Sequence, residues 1–176
     1  MATFLRKATL ADLDDIMQII DSAKALLKKD GSSQWQNGEP NREMFTADIQ
    51  RNECYVLTVE GEVAGVTTVY EEADPNYATL RDGNWENNDS PYATFHRVAI
   101  SNKYRGQHLT DILFTSLFTT VYEKGFRYVR IDTHRRNERL QHIAEKWGFK
   151  YRGVINTAKS ADPVDNERLA YELKLF

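Results

Sequence analysis

The stretch that most restricts what this chain can fold into is residues 97–114, RVAISNKYRGQHLTDILF. An apolar run from Val98 to Ile100 gives way to a basic, polar turn with one glycine, Gly106. Leu109, Ile112, Leu113 and Leu117 then follow at the spacing of a helix with one buried face. A strand that enters a helix through a tight turn leaves the first N–H groups of that helix without partners, and the helix dipole adds positive character there. Such a place draws an anion, typically a phosphate. Lys103 and Arg105 add charge just before it, so residues 105–110 read as a seat for a pyrophosphate. The other reading is a solvated basic turn, because Arg-Gly before a helix is a weak signal by itself.

The remaining sequence supplies layers around this unit. TFLRKAT alternates as a first strand. Thr9 and Asp12 have the spacing of a capping box, with Asp where Glu is usual, and Leu13, Ile16, Met17, Ile20, Ala23 and Leu27 form an amphipathic stripe. Gly31, Gly38 and Pro40 break that helix, and a shorter one follows over 42–51. CYVLTVEGEVAGVTTVY reads as a hairpin. Residues 71–91 have no strand pattern beyond a helical turn near Tyr77 and Leu80, and a connection of this length is often functional. A strand (YATFHRVAI), a helix stopped at Gly125, a strand (RYVRIDT), a helix closed by Gly148, a strand (KYRGVI), a polar loop over 156–166 and a last strand (RLAYELKL) complete the order. With no repeat or linker, this predicts one domain over 1–176, an α/β (α+β) fold with a central mixed sheet and helices on both faces. The last strand is expected at an edge, where unpaired backbone invites association, so the chain reads as a monomer or weak homodimer.

A chain of 176 residues can bury a real core. Its net charge of −3 argues against a nucleic-acid protein built on a broad basic field. No stretch approaches the ~20 apolar residues that span a bilayer, and the N-terminus has no run of signal-peptide length. The single cysteine, Cys54, cannot make an internal disulfide and sits beside an apolar run, as small core residues do. The chain therefore reads as cytoplasmic, without nucleic-acid, membrane or metal partners.

YRGQHLT followed by IDTHRRNERLQHIAEKWGFKYRGVI resembles the Gcn5-related N-acetyltransferase (GNAT) family. The family's nucleotide motif, Arg/Gln-x-x-Gly-x-Gly/Ala after an apolar strand, opens here at Arg105. Its second block, an Asn followed by a helix closing on Glu-Lys-x-Gly-Phe, matches Asn137 and residues 145–149. The resemblance is densest over 94–155, and DTH, QW and AYE are similar to a bacterial branch of that family. It implies a mostly antiparallel GNAT sheet, acetyl-CoA as co-substrate and an amine as acceptor. It also implies strand backbone at Val98 and Ile100 for the pantetheine arm, and backbone N–H groups of Arg105, Gly106, Gln107, His108, Leu109 and Thr110 for the pyrophosphate. Asn137 would lie beside the arm, and a splayed strand pair would admit the thioester. His108 and Thr110 stand where the family has Gly or Ala; backbone contacts tolerate both, and His accepts unusual φ better than most residues.

Acetyl transfer to an amine needs a neutral amine, donors for the oxyanion and a proton for the thiolate. The tyrosine many relatives use as acid, seven residues after the Asn, is Ala144 here. Asp132 and His134, two apart on a strand, share a face and could relay a proton; alternatively they cap the next helix or pair with Arg135 and Arg136. His96 is a further candidate, or a structural histidine. Segments 29–41 and 71–91 would frame the acceptor, bringing Trp35, Trp85 and six acids that suit a small or peptidyl amine, favouring a cationic one. The other outcome is a solvated loop anchored by Trp85. With the acid missing and the loop altered, an acyl-CoA-binding sensor of the same fold is the alternative function.

Overall fold

The computed structural model describes residues 2–157 and 165–176, so the middle of the polar loop expected over 156–166 lies outside them. The elements follow the predicted order: β1 (Thr3–Lys7), α1 (Leu13–Lys29), α2 (Arg42–Gln50), β2 (Cys54–Val59), β3 (Glu62–Tyr70), β4 (Tyr92–Ile100), α3 (Leu109–Glu123), β5 (Tyr128–Thr133), α4 (Glu138–Lys146), β6 (Lys150–Asn156) and β7 (Glu167–Lys174). Asp12 closes the entry to α1 by accepting from the Thr9 N–H at 2.7 Å and the Thr9 hydroxyl at 2.9 Å. The β2–β3 turn places Glu60 at φ 51° and Gly61 at φ 90°, the left-handed pair a two-residue hairpin needs.

One seven-stranded sheet runs β1-β2-β3-β4-β5-β7-β6. Every pairing is antiparallel except β4–β5. Strand β2 is buried along its whole length and divides its side chains between two cores. Cys54 and Val56 join Ile16, Ile20, Phe45 and Ile49 beneath α1 and α2. Tyr55, Leu57 and Val59 join Leu113, Phe114, Leu117 and Val121 beneath α3. Helices thus cover both faces, and truncating a fully buried residue such as Phe114 to Ala would cost about 3 kcal/mol.

Two features of this sheet prepare the site. The parallel β4–β5 pairing spans only Tyr92↔Tyr128, Ala93↔Val129 and Thr94↔Arg130. Beyond that point β4 keeps β3 on one side, β5 keeps β7 on the other, and a V opens between them. Within the V, the β3–β4 register slips between Val66 and Thr68, and Arg97 takes φ 54°, which marks a bulge.

The expected position of the last strand is corrected. Strand β7 lies inside the sheet between β5 and β6, and the edges are β1 and β6. Tight packing lets a loop cover β6. Arg81 and Val154 exchange backbone hydrogen bonds of 3.0 Å, and a Cβ on Gly83 would fall 2.0 Å from the Arg152 carbonyl oxygen. The 71–91 connection therefore runs back over the β6 edge, which its sequence gave no means of foreseeing.

Candidate active site

The V opens into a cleft of about 1120 Å³ that runs from the start of α3, across β4, to the α1–α2 connection. Its first end is made almost wholly from consecutive residues. Gly106 has φ 79° and His108, the N-cap of α3, has φ 56°. A Cβ at Gly106 would meet nothing within 4 Å, so glycine is required there by backbone conformation and not by crowding from the protein. These two left-handed residues, one on each side of Gln107, turn the chain so that the N–H groups of Gly106, His108, Leu109 and Thr110 have no acceptor among the described residues. The Gln107 N–H is spent on the Tyr104 carbonyl at 3.2 Å, and Gln107 is absent from the cleft wall. Arg105, Gly106, His108, Leu109 and Thr110 line this end, with Val98 and Ile100 leading to it along β4. Four unpaired N–H groups at a helix start, beside exposed Arg105, fit a diphosphate.

The opposite end is assembled from distant segments. Asn137 lines the cleft and caps α4, accepting from the Leu140 N–H at 3.3 Å. Its amide donates to Gln34 Oε1 at 3.3 Å, and the same oxygen accepts from the His134 N–H and the Thr133 hydroxyl, each at 3.3 Å. Gln34 thus ties the α1–α2 connection to the end of β5. Trp35 follows with φ 66° and lines the cleft.

The groups able to move protons lie between these ends. Asp132 lines the cleft and accepts from the Tyr77 hydroxyl at 2.9 Å. Burial, then the Asp132 charge and hydrogen bond, push the Tyr77 phenol well above its ordinary value, so it stays a donor. His96 reaches the cleft from β4. Its Nε2 lies 3.1 Å from Asp74 Oδ2, off the line of a well-formed hydrogen bond, and its ring meets that of Tyr70 at a tilt of 52°, centroids 4.8 Å apart. The other Asp74 oxygen accepts from the Asn76 N–H at 2.8 Å. Burial pushes the Asp74 carboxyl up, but the His96 contact and the Asn76 N–H outweigh it and hold Asp74 below its ordinary value, ionised at neutral pH.

The structure separates Asp132 from His134. Strand β5 ends at Thr133, and the His134 ring is enclosed elsewhere, 3.4 Å from the hydroxyls of Ser32 and Ser33. Its Nδ1 accepts from the Arg136 N–H at 3.2 Å, which places the ring proton on Nε2. Burial, followed by the charge of Arg168, lowers its pKa. His134 pins loops together and is outside the cleft wall. Trp85 is also away from the cleft: its indole donates to the Tyr77 carbonyl at 3.1 Å and its ring lies 3.9 Å from the Arg130 guanidinium. Of the six acids in 71–91, only Glu72 and Asp74 line the cleft. Ala144 is fully buried in the α3-side core. Cys54 is sealed in the other core, where burial pushes its thiol to about 12, so it is not a nucleophile.

Sequence reasoning held Asp74 only as one of six loop acids, without its partner His96, and missed Gln34 and the tyrosine behind Asp132. Only Asp74 carried a signal, an Asp before a Pro that opens a helical turn at Pro75–Thr79.

The family model described as Acetyltransferase (GNAT) matches residues 20–149. An acetyltransferase of the GNAT family from Streptococcus agalactiae 2603 is 34% identical, covers 98% of this chain and 95% of its own, and superposes with a TM-score of 0.86. A GNAT acetyltransferase from Listeria monocytogenes 4b F2365 is 20% identical over 98% of this chain and 95% of its own, with a TM-score of 0.73. The ribosomal-protein-S18-alanine N-acetyltransferase of Escherichia coli, 13% identical over 99% of this chain and 94% of its own, shares the fold at a TM-score of 0.68. No functionally curated protein matches the sequence. Among the described residues no helix is long and apolar enough to cross a membrane, and no group of three His, Cys, Asp or Glu side chains is placed to hold a metal. With its strands splayed at β4–β5, its N–H cradle before α3 and a family match covering most of its length, the chain belongs to the GNAT acetyltransferase family.

Proposed function

We propose that the chain is an acetyl-CoA-dependent N-acetyltransferase acting on a primary amine of a small molecule or peptide. The observation that carries this reading is the early end of the β4–β5 pairing, which opens a V whose mouth is the unpaired N–H cradle at 106–110. Acetyl-CoA supplies an activated acetyl group. Arg105 and the N–H groups of Gly106, His108, Leu109 and Thr110 hold its diphosphate, β4 backbone at Val98 and Ile100 faces its arm, and Asn137 borders the arm from α4. Asp132 attracts the acceptor's ammonium. His96, its Nε2 3.1 Å from the Asp74 carboxylate, offers Nδ1 as the base that removes the ammonium proton. His96 and Asp132 thus replace the relay expected from Asp132 and His134. The new N–C bond forms as the C–S bond breaks; one proton goes to His96 and the other to the departing thiolate. Ala144 leaves no acid in α4, so water carries that second proton from the amine to the thiolate. The chain works as one domain, a cytoplasmic monomer or weak homodimer, since β1 is short and β6 is covered.

Calorimetric titration with CoA, followed by thiol release with acetyl-CoA and a panel of amines, tests the reading. Binding together with amine-dependent release supports it. Absence of CoA binding at millimolar ligand sinks it. Binding without release for any amine favours an acyl-CoA sensor, the reading to which Ala144 points.

A further inference from the structure

The geometry points to an acceptor that is a primary amine carrying a compact apolar group, alkyl or aryl, in preference to an amine bearing a carboxylate. This rests on the N-acetyltransferase reading and names its acceptor class.

The end of the cleft beyond His96 has one apolar wall and one acidic edge. Ala23 and Leu26 of α1, Trp35 and Pro40 of the connection and Met44 of α2 form the wall. Trp35 is fixed in this wall. A bulky residue in the left-handed region costs roughly 1–3 kcal/mol unless its surroundings hold it there. Here Gln34 is anchored through one oxygen to three donors, and the Trp35 side chain packs on the core beneath α1 and α2. Such strain places an indole against the cleft where a polar side chain would be cheaper. The Tyr70 ring also lines the cleft and packs at a tilt against His96.

The charges then decide orientation. Two carboxylates stand around His96: Asp74 on its Nε2, and Asp132, which accepts from the Tyr77 hydroxyl, the Tyr77 ring lying 6.5 Å from that of His96. An ammonium is attracted to them, which turns the rest of the acceptor toward the wall. Glu39, Glu53 and Glu72 also line the cleft, which adds negative charge around the apolar wall. A carboxylate meets cations there that are already engaged, Lys24 on the Pro40 carbonyl at 2.6 Å among them. Arg97 is held by Asp48, and Arg51 is shared between Asp48 at 2.7 Å and Glu53 at 2.8 Å. Arg168 lies near Asp132 and Asp165 and donates to the backbone carbonyls of Asp165 and Glu167.

The test uses the full chain saturated with acetyl-CoA and the series methylamine to butylamine, whose basicity is nearly constant, with phenethylamine and glutamate. Thiol release gives kcat/KM, and calorimetry of phenethylamine on the CoA-loaded protein gives binding without turnover. We expect kcat/KM to rise about fourfold per methylene and phenethylamine to exceed methylamine by at least ~10-fold. Trp35→Ala should shrink that ratio several-fold. If that variant does not fold, Met44→Glu, at a half-buried helix position, should shrink it. A flat series, or glutamate as the best acceptor, overturns the acceptor class while leaving acetyl transfer standing. Phenethylamine binding with no release from any amine upholds the class and overturns the transferase reading. Phenethylamine neither bound nor acetylated, with other amines turned over, overturns the class alone.

Discussion

The two ends of the cleft are built by opposite means. The donor end is a run of six neighbouring residues, 105–110, that offers main-chain N–H groups and needs side chains mainly to permit two left-handed φ values. The acceptor end draws its groups from α1, the α1–α2 connection, the start of the 71–91 segment, the β4 bulge and the end of β5, and works through side chains. A local main-chain site survives side-chain change, which is why His108 and Thr110 leave the N–H cradle in place. A site of scattered side chains changes chemistry with each substitution. The difference teaches that the ends should fail separately: donor changes in CoA affinity, acceptor changes in turnover or acceptor KM.

The largest effect is expected from Asp48→Ala. Asp48 is buried and accepts from Thr68 at 2.7 Å, from Arg51 and from Arg97 at the bulge. Removing it strands a mostly buried guanidinium and should cost about 3 kcal/mol in urea denaturation. Amine turnover should fall more than CoA binding, because the bulge belongs to the acceptor end; equal loss in both would break the comparison.

Next is His96→Ala. Losing a positioned base should lower kcat by roughly 10²-fold while CoA affinity stays the same. A variant with wild-type kcat would return His96 to a structural role and leave catalysis to positioning.

Gly106→Val sharpens the donor side. A β-branched residue resists φ 79°, the loop relaxes, and N–H groups rotate off the phosphates. CoA affinity should drop about tenfold, whereas acceptor KM at saturating acetyl-CoA should hold. Calorimetry showing normal affinity would mean that the cradle is not the phosphate seat.

The smallest effect concerns His134. Its folded pKa lies below the ordinary 6.5, so it contributes stability above that pH. The unfolded chain takes up the proton first as pH falls, and the contribution is lost between 6.5 and the lower folded value. His134→Gln should flatten this part of the stability–pH curve and leave the pH profile of kcat unchanged. A changed kcat profile would bring His134 back into the chemistry.

The sequence by itself determined the donor end and the order of elements. Periodicity reports local burial, and Val98–Ile100, the basic turn and the α3 stripe are contiguous, so strand, cradle and helix were legible together. Gly125, Gly148 and the Glu-Gly turn marked ends correctly for the same reason. Tertiary structure alone decided the acceptor end. Strand alternation put Asp132 and His134 on one face, but β5 stops between them, and strand length is set by pairing with β7 rather than by local sequence. Trp85 and Trp35 looked alike as aromatics in polar connections. Only the return of 71–91 across β6 sends Trp85 onto Arg130, while Gln34 turns Trp35 to the cleft. Asp74 and His96 are 22 residues apart and meet because β4 folds back beside β3. Contacts of that kind arise from topology, and no local pattern of residues encodes them.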